Sequence, residues 1–403
     1  MSARRQFKYS MKYDFRYFHA GKSPEALARF GLLGWPTWPV WPFWLVGLAL
    51  ILPLSGCSHR MAPPRPYLAL VADKGSQNVA VFNLARFDIA KLIPLGFAPA
   101  RLVFRPLSRE VYAASDMGEI AVIRFPDLAV VRSGQYGHGP NEIVFPPDGQ
   151  AAFLLEGDGR AIVKVDCTSG RAESTFGLPA STSTIALTPD GKTLLALDDA
   201  DGKLFFLDAA SGKSLGSIET GKGGASLIIL PNGEKAFIGV TGSNEVVAVD
   251  VVNRQILSRI EVGSPPSLLA LKPDGGEIFA LSAADSTLTI LDAFHDSVEQ
   301  SMTAGANPVA AVFSRDSRLL FIANQNDGTV TEMDVATRGV KSLIHTGMKP
   351  VSLALTPDER FLAVTDTANE SVSVVRTATG DLITTKPAGQ DPVDVVIPGW
   401  EKK

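Results

Sequence analysis

A unit of 42 residues repeating through most of the chain, four short apolar strands within each unit, and the lack of helical periodicity together predict an all-β chain. They predict a single β-propeller of eight four-stranded blades. The chain has 403 residues, of which 45% are hydrophobic and 20% charged, with Gly 36 and Pro 27 scattered along it. Such a composition buries a large core and supplies many turns.

The unit is clearest at its turns. Pro147-Asp148-Gly149, Pro189-Asp190-Gly191, Pro231-Asn232-Gly233, Pro273-Asp274-Gly275, Arg315-Asp316-Ser317 and Pro357-Asp358-Glu359 follow one another at intervals of 42, and Pro106 begins a degenerate copy 41 residues before Pro147. Proline presets φ and glycine accepts a positive φ, so each is tight-turn chemistry. Two and four residues before each turn lies an apolar pair: Leu102/Phe104, Ile143/Phe145, Ile185/Leu187, Leu227/Ile229, Leu269/Leu271, Ala311/Phe313 and Leu353/Leu355, with Val395/Ile397 as an eighth. The residue inside each pair is also apolar, and a strand apolar on both faces is buried on both. This is the innermost strand, A.

After the turn, runs such as Thr193–Leu197 and Phe361–Thr365 read as strand B. A polar loop leads to an alternating strand C, such as Leu204–Leu207 or Val372–Val375. An outer strand D ends at a recurring glycine: Gly96, Gly137, Gly177, Gly221, Gly263, Gly305, Gly347 and Gly389. The first segment, Tyr67–Gly96, has strands B, C and D without an A, and the last, Pro392–Pro398, is an A strand alone. Each completes the other, so the C-terminal strand A is expected to close the ring against the N-terminal strands B–D. The 333 residues from Tyr67 to Gly399 are close to eight times 42. A seven-bladed ring follows instead if Tyr67–Gly96 lies outside the closure.

The N-terminus has another character. Arg4, Arg5, Lys8, Lys12, Arg16, Lys22 and Arg29 make a basic leader, followed by an uncharged, mostly apolar run from Phe30 to Pro53 and then Leu54-Ser55-Gly56-Cys57. A basic region, an apolar region and small residues mark a secretory signal. Pro36, Pro39 and Pro42 disfavour a retained membrane helix. The segment resembles a bacterial lipoprotein signal, which implies that Cys57 is acylated after cleavage and holds the protein on a membrane. Residue 58 is Ser rather than Asp, which by the best-known sorting rule points to the outer membrane. The expected organisation is a signal peptide over 1–56, a Pro-rich tether over 57–66, the propeller over 67–399 and a tail over 400–403. Removing the leader's seven Lys/Arg and two Asp/Glu from totals of 38 and 42 leaves 31 basic and 40 acidic residues. A body near −9 weighs against nucleic acid as a partner.

Within the repeats, Met348-Lys349-Pro350-Val351-Ser352-Leu353-Ala354-Leu355-Thr356-Pro357-Asp358 and Phe361-Leu362-Ala363-Val364-Thr365-Asp366 resemble the YVTN-type propeller repeat, with Phe321-Ile322-Ala323-Asn324 where its name motif falls. A Gly-x-x-Pro step precedes strand A at Pro99, Pro140, Pro266, Pro308, Pro350 and Pro392, while Ala180 and Gly224 depart from it. The resemblance covers nearly all of 67–399 and implies the fold. Its members include surface-layer and secreted binding proteins, lactonase-like enzymes and relatives of the eight-bladed haem d1 domains, so it leaves function open.

Catalytic chemistry is not legible. No haem-attachment, zinc-protease or nucleophile-elbow motif occurs. Of five His, His19 and His59 precede the ring, His295 falls in a C-to-D turn and His345 in a D strand; His138 alone sits in a D-to-A loop, and it is the one expected axial ligand should a haem d1-like group bind. Cys167 has no identifiable His partner and reads as an inert thiol. Asp73, Asp116, Asp158, Asp198, Asp199, Asp201, Asp285, Asp327 and Asp366 crowd the B-to-C loops, where turn capping explains them better than a cation site. D-to-A and B-to-C loops share one face in a blade. The polar residues expected nearest that mouth are Arg101, His138, Asn141, Glu142, Lys222, Asn307, Lys349, Asp391 and Asp394. They differ from blade to blade while the strands are alike. The expected protein is a monomeric, non-catalytic binding or scaffolding lipoprotein of the bacterial envelope, without metal or cofactor, meeting an envelope protein, a glycan or a small molecule at this face. A lactonase-like or haem d1-related propeller is the alternative.

Overall fold

The computed structural model describes residues 67–137, 139, 142–178 and 182–399. Cys57, His138 and Asn141, like residues 1–66 where a signal peptide and tether are expected, lie outside them. Thirty-two strands, numbered β1–β32 in chain order, form eight four-stranded antiparallel sheets, and the described residues contain no α-helix. The chain is an eight-bladed β-propeller.

Blade 1 is the split blade. Its order is β3-β2-β1-β32, combining β1 (Leu68–Asp73), β2 (Asn78–Asn83) and β3 (Asp88–Pro94) with the last strand, β32 (Pro392–Val396). Leu70 pairs with Val396, Val71 with Val395 and Ala72 with Asp394. The seven-bladed alternative is thereby excluded. Blades 2–8 follow in sequence, and their innermost strands are β4 (Pro99–Phe104), β8 (Glu142–Val144), β12 (Thr182–Leu187), β16 (Gly224–Ile229), β20 (Leu268–Leu271), β24 (Pro308–Phe313) and β28 (Pro350–Leu355).

The core is distributed between blades rather than gathered at one centre. Eight apolar clusters form, each shared by two neighbouring blades. Between blades 1 and 2, Leu70, Val81 and Val396 pack on Leu102, Val111 and Ile123. Between blades 8 and 1, Ala363, Val372 and Val374 pack on Val71, Phe82 and Val395. This is why strand A is apolar on both faces: each of its faces meets a different neighbour.

One feature of the repeat shifts. The D-to-A step expected at Gly177-x-x-Ala180 is two residues longer than the others. Thr182, not Ala180, pairs with Asp198 as Pro308 pairs with Asn324 and Pro350 with Asp366. The Ile185/Leu187 pair does lie in β12 (Thr182–Leu187), and strand register fixes where that strand starts.

Ring closure predicts a sharp contrast. Val395 is fully buried in β32, and Val340, on the outer strand β27 (Gly339–His345), is 60% exposed. Val395→Asp buries an unpaired charge and should lower unfolding free energy by about 3 kcal/mol or more, whereas Val340→Asp should change it by less than about 0.5 kcal/mol. Urea titration checks both, and equal midpoints would mean that β32 does not close the ring in solution.

Candidate functional site

The D-to-A and B-to-C loops do share a face, and backbone bonds tie them together: Gln325 N–H to Asn307 O at 2.9 Å, Thr367 to Lys349 at 3.2 Å, Gly223 to Asp199 at 2.8 Å. At the closure, Lys74 N–H reaches Asp391 O at 3.1 Å and Gly75 N–H reaches Gln390 O at 2.7 Å, joining the last such loop to the first.

Register places one residue from each blade at an equivalent position, opposite the penultimate residue of strand B in seven blades and the last, Leu155, in blade 3. In order from blade 1 these are Asp394, Arg101, Glu142, Thr184, Ser226, Leu268, Ala310 and Ser352. In six blades a register shift in strand A falls immediately before this residue. A bulge of that kind re-aims the next side chain. The axis-side edge of strand A has no strand partner, and this position serves it. Asp394 Oδ2 accepts the Leu102 N–H at 2.8 Å, Glu142 Oε2 the Ile185 N–H at 2.6 Å and Ser226 Oγ the Leu269 N–H at 3.1 Å, each from the next blade. Ser352 Oγ donates to Asp394 Oδ1 at 2.9 Å. Asp394 and Glu142 are 7% exposed, so charge is held at the axis by hydrogen bonds between blades.

Of the mouth residues expected from sequence, Arg101, Glu142 and Asp394 take the equivalent position on the innermost strands of three consecutive blades, where blades 6 and 7 carry Leu268, buried between those two blades, and Ala310. Lys222, Lys349 and Asp391 stand exposed in D-to-A loops of blades 5, 8 and 1. Asn307 (φ 56°) is held within its own loops, donating from Nδ2 to Gln325 Oε1 at 3.0 Å and Asn326 Oδ1 at 3.3 Å. Lys74 bridges to Asp116 at 2.7 Å across blades 1 and 2. Sequence reasoning missed Ser352, Ser226 and Thr184, whose signal is position alone: five residues before each turn.

Asp73, Asp158, Asp198 and Asp366 of the loop aspartates serve as turn caps. Asp73 Oδ1 accepts the Ser76 N–H at 3.1 Å, Asp198 Oδ1 the N–H groups of Ala200 and Asp201 at 3.0 and 3.1 Å, and Asp366 Oδ1 the Asn369 N–H at 2.7 Å. Burial pushes the Asp73 carboxyl above the usual carboxylate range despite these bonds. Among the described residues, no group of three or more His, Cys, Asp or Glu is placed to hold a metal ion. Cys167 is fully buried; burial pushes its thiol up, beyond what its bond to Tyr112 offsets. His295 lies in a C-to-D turn, where Nδ1 meets Asp292 Oδ2 at 2.8 Å, and His345 ends strand β27 on the outside.

Two of the recurring glycines have a packing cause in a buried aspartate. A Cβ on Gly389 (φ 103°) would stand 1.6 Å from Asp73 Oδ2, and one on Gly347 2.0 Å from Asp366 Oδ2. At Gly263 (φ 77°) nothing lies within 4 Å. At Gly389 and Gly347 the glycine makes room for the buried carboxylate that caps the B-to-C loop.

No protein-family model matches the chain, and no curated protein matches it in sequence. Solved structures do. The dihydro-heme d1 dehydrogenase NirN in complex with DHE superposes with a TM-score of 0.71 at 14% identity, over 83% of this chain and 77% of that one. A functionally unknown protein from Desulfotomaculum acetoxidans DSM 771 gives 0.55 at 13%, over 82% and 98%. Kuenenia stuttgartiensis hydrazine synthase gives 0.52 at 16%, over 64% and 89%. At these identities the likeness is one of fold.

Two outcomes follow. Gly263→Ala should cost about 1 kcal/mol, from the positive φ alone, and Gly389→Ala clearly more; equal urea midpoints would refute the packing account. The Asp292–His295 pair sets a pH window. Hydrogen bonds from His295 draw Asp292 down to about 2, and Asp292 in turn raises His295 above its usual 6.5. The pair's contribution is therefore present between the ordinary Asp and His values. It is lost as pH falls toward about 2 and as pH rises through the elevated His295 value. In an NMR titration, Asp292→Asn should return His295 toward 6.5.

Proposed function

We propose that this chain is a non-catalytic binding protein of the bacterial envelope, held to a membrane by lipid on Cys57, that receives a small molecule, a glycan or a partner protein on the D-to-A/B-to-C face. The observation that carries the reading is the ring of eight equivalent positions. One backbone repeats, yet its side chains divide into a charged sector of Asp394, Arg101 and Glu142 and an apolar arc of Leu268 and Ala310. A rigid frame that carries dissimilar groups toward one mouth is the arrangement recognition requires. Exposed Lys222, Lys349 and Asp391 add reach above it.

The likeness to NirN favours a second reading, a tetrapyrrole at the same mouth. An iron-bearing ring needs an axial donor. Among the described residues neither imidazole is at the mouth, since His295 and His345 lie in a C-to-D turn and an outer strand. The described residues therefore do not fit that group, and the reading rests on His138 alone.

The test uses the full chain purified from its native host. Crosslinked partner should fall at least tenfold in a Lys222→Glu/Lys349→Glu variant and persist in Lys192→Glu, which alters the opposite face. Loss that follows Lys192, or no difference, would overturn the mouth assignment. Cys57→Ala should abolish palmitate labelling and release the protein from membranes. A Soret band in the wild type would replace the first reading with the second.

A further inference from the structure

The face opposite the mouth holds the strongest departure from the repeat. In blades 3 to 6 the turn glycine seats on the preceding blade's proline: a Cβ on Gly233 would meet Pro189 at 3.2 Å, and one on Gly275 would meet Pro231 at 3.1 Å. Between blades 7 and 8 both partners change. Arg315 stands for the proline and Glu359, at φ 57°, for the glycine. Arg315 has a backbone N–H that proline lacks, and the Glu359 carboxylate accepts it. A non-glycine residue in the left-handed region is strained, and here the strain is kept where a cavity opens.

The packing beneath is thin. The apolar cluster between blades 7 and 8 has six buried members, against ten to thirteen in the other seven. The space left is a cleft of about 290 Å³, floored by Leu319, Phe321 and Leu355. Asp316, Asp334 and Glu359 form its walls together with Arg318 and Lys341. The cations are spent or solvated: Lys341 Nζ is 2.6 Å from the buried carboxylate of Glu332, and the Arg318 side chain is 79% exposed, 4.0 Å from Asp316. Asp334 and Asp316 each give one oxygen to their own turn, and Glu359 gives one to the Arg315 N–H of the neighbouring blade. Asp334 Oδ1 takes the Thr337 N–H and hydroxyl at 2.8 and 2.9 Å, and Asp316 Oδ1 the Ser314 hydroxyl at 2.7 Å. Those bonds hold both carboxyls below the usual range, hence charged. Asp334 and Glu359 thus line the same cleft as the apolar Leu319, Phe321 and Leu355.

We propose that this cleft is a second binding site, which takes a small alkyl cation: an ammonium or guanidinium head against Asp334 and Glu359, with a short aliphatic stem on Leu319 and Leu355. It lies on the face away from the mouth and stands independently of the function proposed there.

Isothermal titration with n-pentylguanidinium, 1-pentanol and pentanoate separates head from stem. The cation should saturate at one site, at least tenfold tighter than either of the other two. Asp334→Asn, which keeps the turn acceptor, should weaken the cation at least tenfold. The double variant Arg315→Pro/Glu359→Gly restores the repeat's own turn, so it should keep or raise Tm while losing the cation. Absence of saturable cation binding, equal binding of pentanol or pentanoate, or undiminished binding in the folded double variant would each overturn the proposal.

Discussion

The last strand of this protein has no chain neighbour in its own blade, and the ring depends on its pairing with the first. Were β32 absent, β1 would expose a long edge of unpaired N–H and C=O groups, and two apolar clusters would open at once. The pairing is therefore reinforced beyond its ladder. Asp394 takes a hydrogen bond from Ser352 in blade 8 and one from Leu102 in blade 2, so one carboxylate spans three blades at the seam. The loop before β32 is bonded to the first B-to-C loop as well.

Much of the fold was legible in the sequence because its cause is periodic. A strand that packs on both sides must be apolar throughout, and a turn that returns to strand B needs proline and glycine at fixed places. Both constraints recur every 42 residues, so eight blades and the split blade could be counted. Ala180 shows where this fails. Glycine marks the end of strand D, but loop length after it is free, and only hydrogen-bond register shows that β12 starts at Thr182. The recurring glycines were visible, but the cause at two of them was not: buried Asp73 and Asp366 lie far away in sequence from Gly389 or on another strand from Gly347.

The site was legible in part. Arg101, Glu142 and Asp394 stood out because charge in an apolar strand is conspicuous. Ser226 and Ser352 occupy the same ring and accept or donate the same kind of bond, but serine in a strand draws no attention in sequence. Asn307 drew attention as a polar loop residue, and the structure spends its amide on neighbouring loops. Composition marks polarity; only register separates polarity that faces the axis from polarity that holds a loop.

The two faces of the ring differ for a physical reason. On the mouth face, strand A leaves backbone donors without strand partners, so side chains there have structural work before any binding. Asp394 and Glu142 do both: they cap N–H groups of neighbouring blades and place negative charge beside the axis. On the opposite face the turns close their own backbone bonds inside four residues, as Gly191 to Thr188 at 2.8 Å. A turn residue can change there without opening a ladder, provided that the new groups satisfy each other, as Arg315 and Glu359 do. Chemistry at the mouth is thus coupled to ring stability, whereas chemistry at the turns can vary with little cost to it.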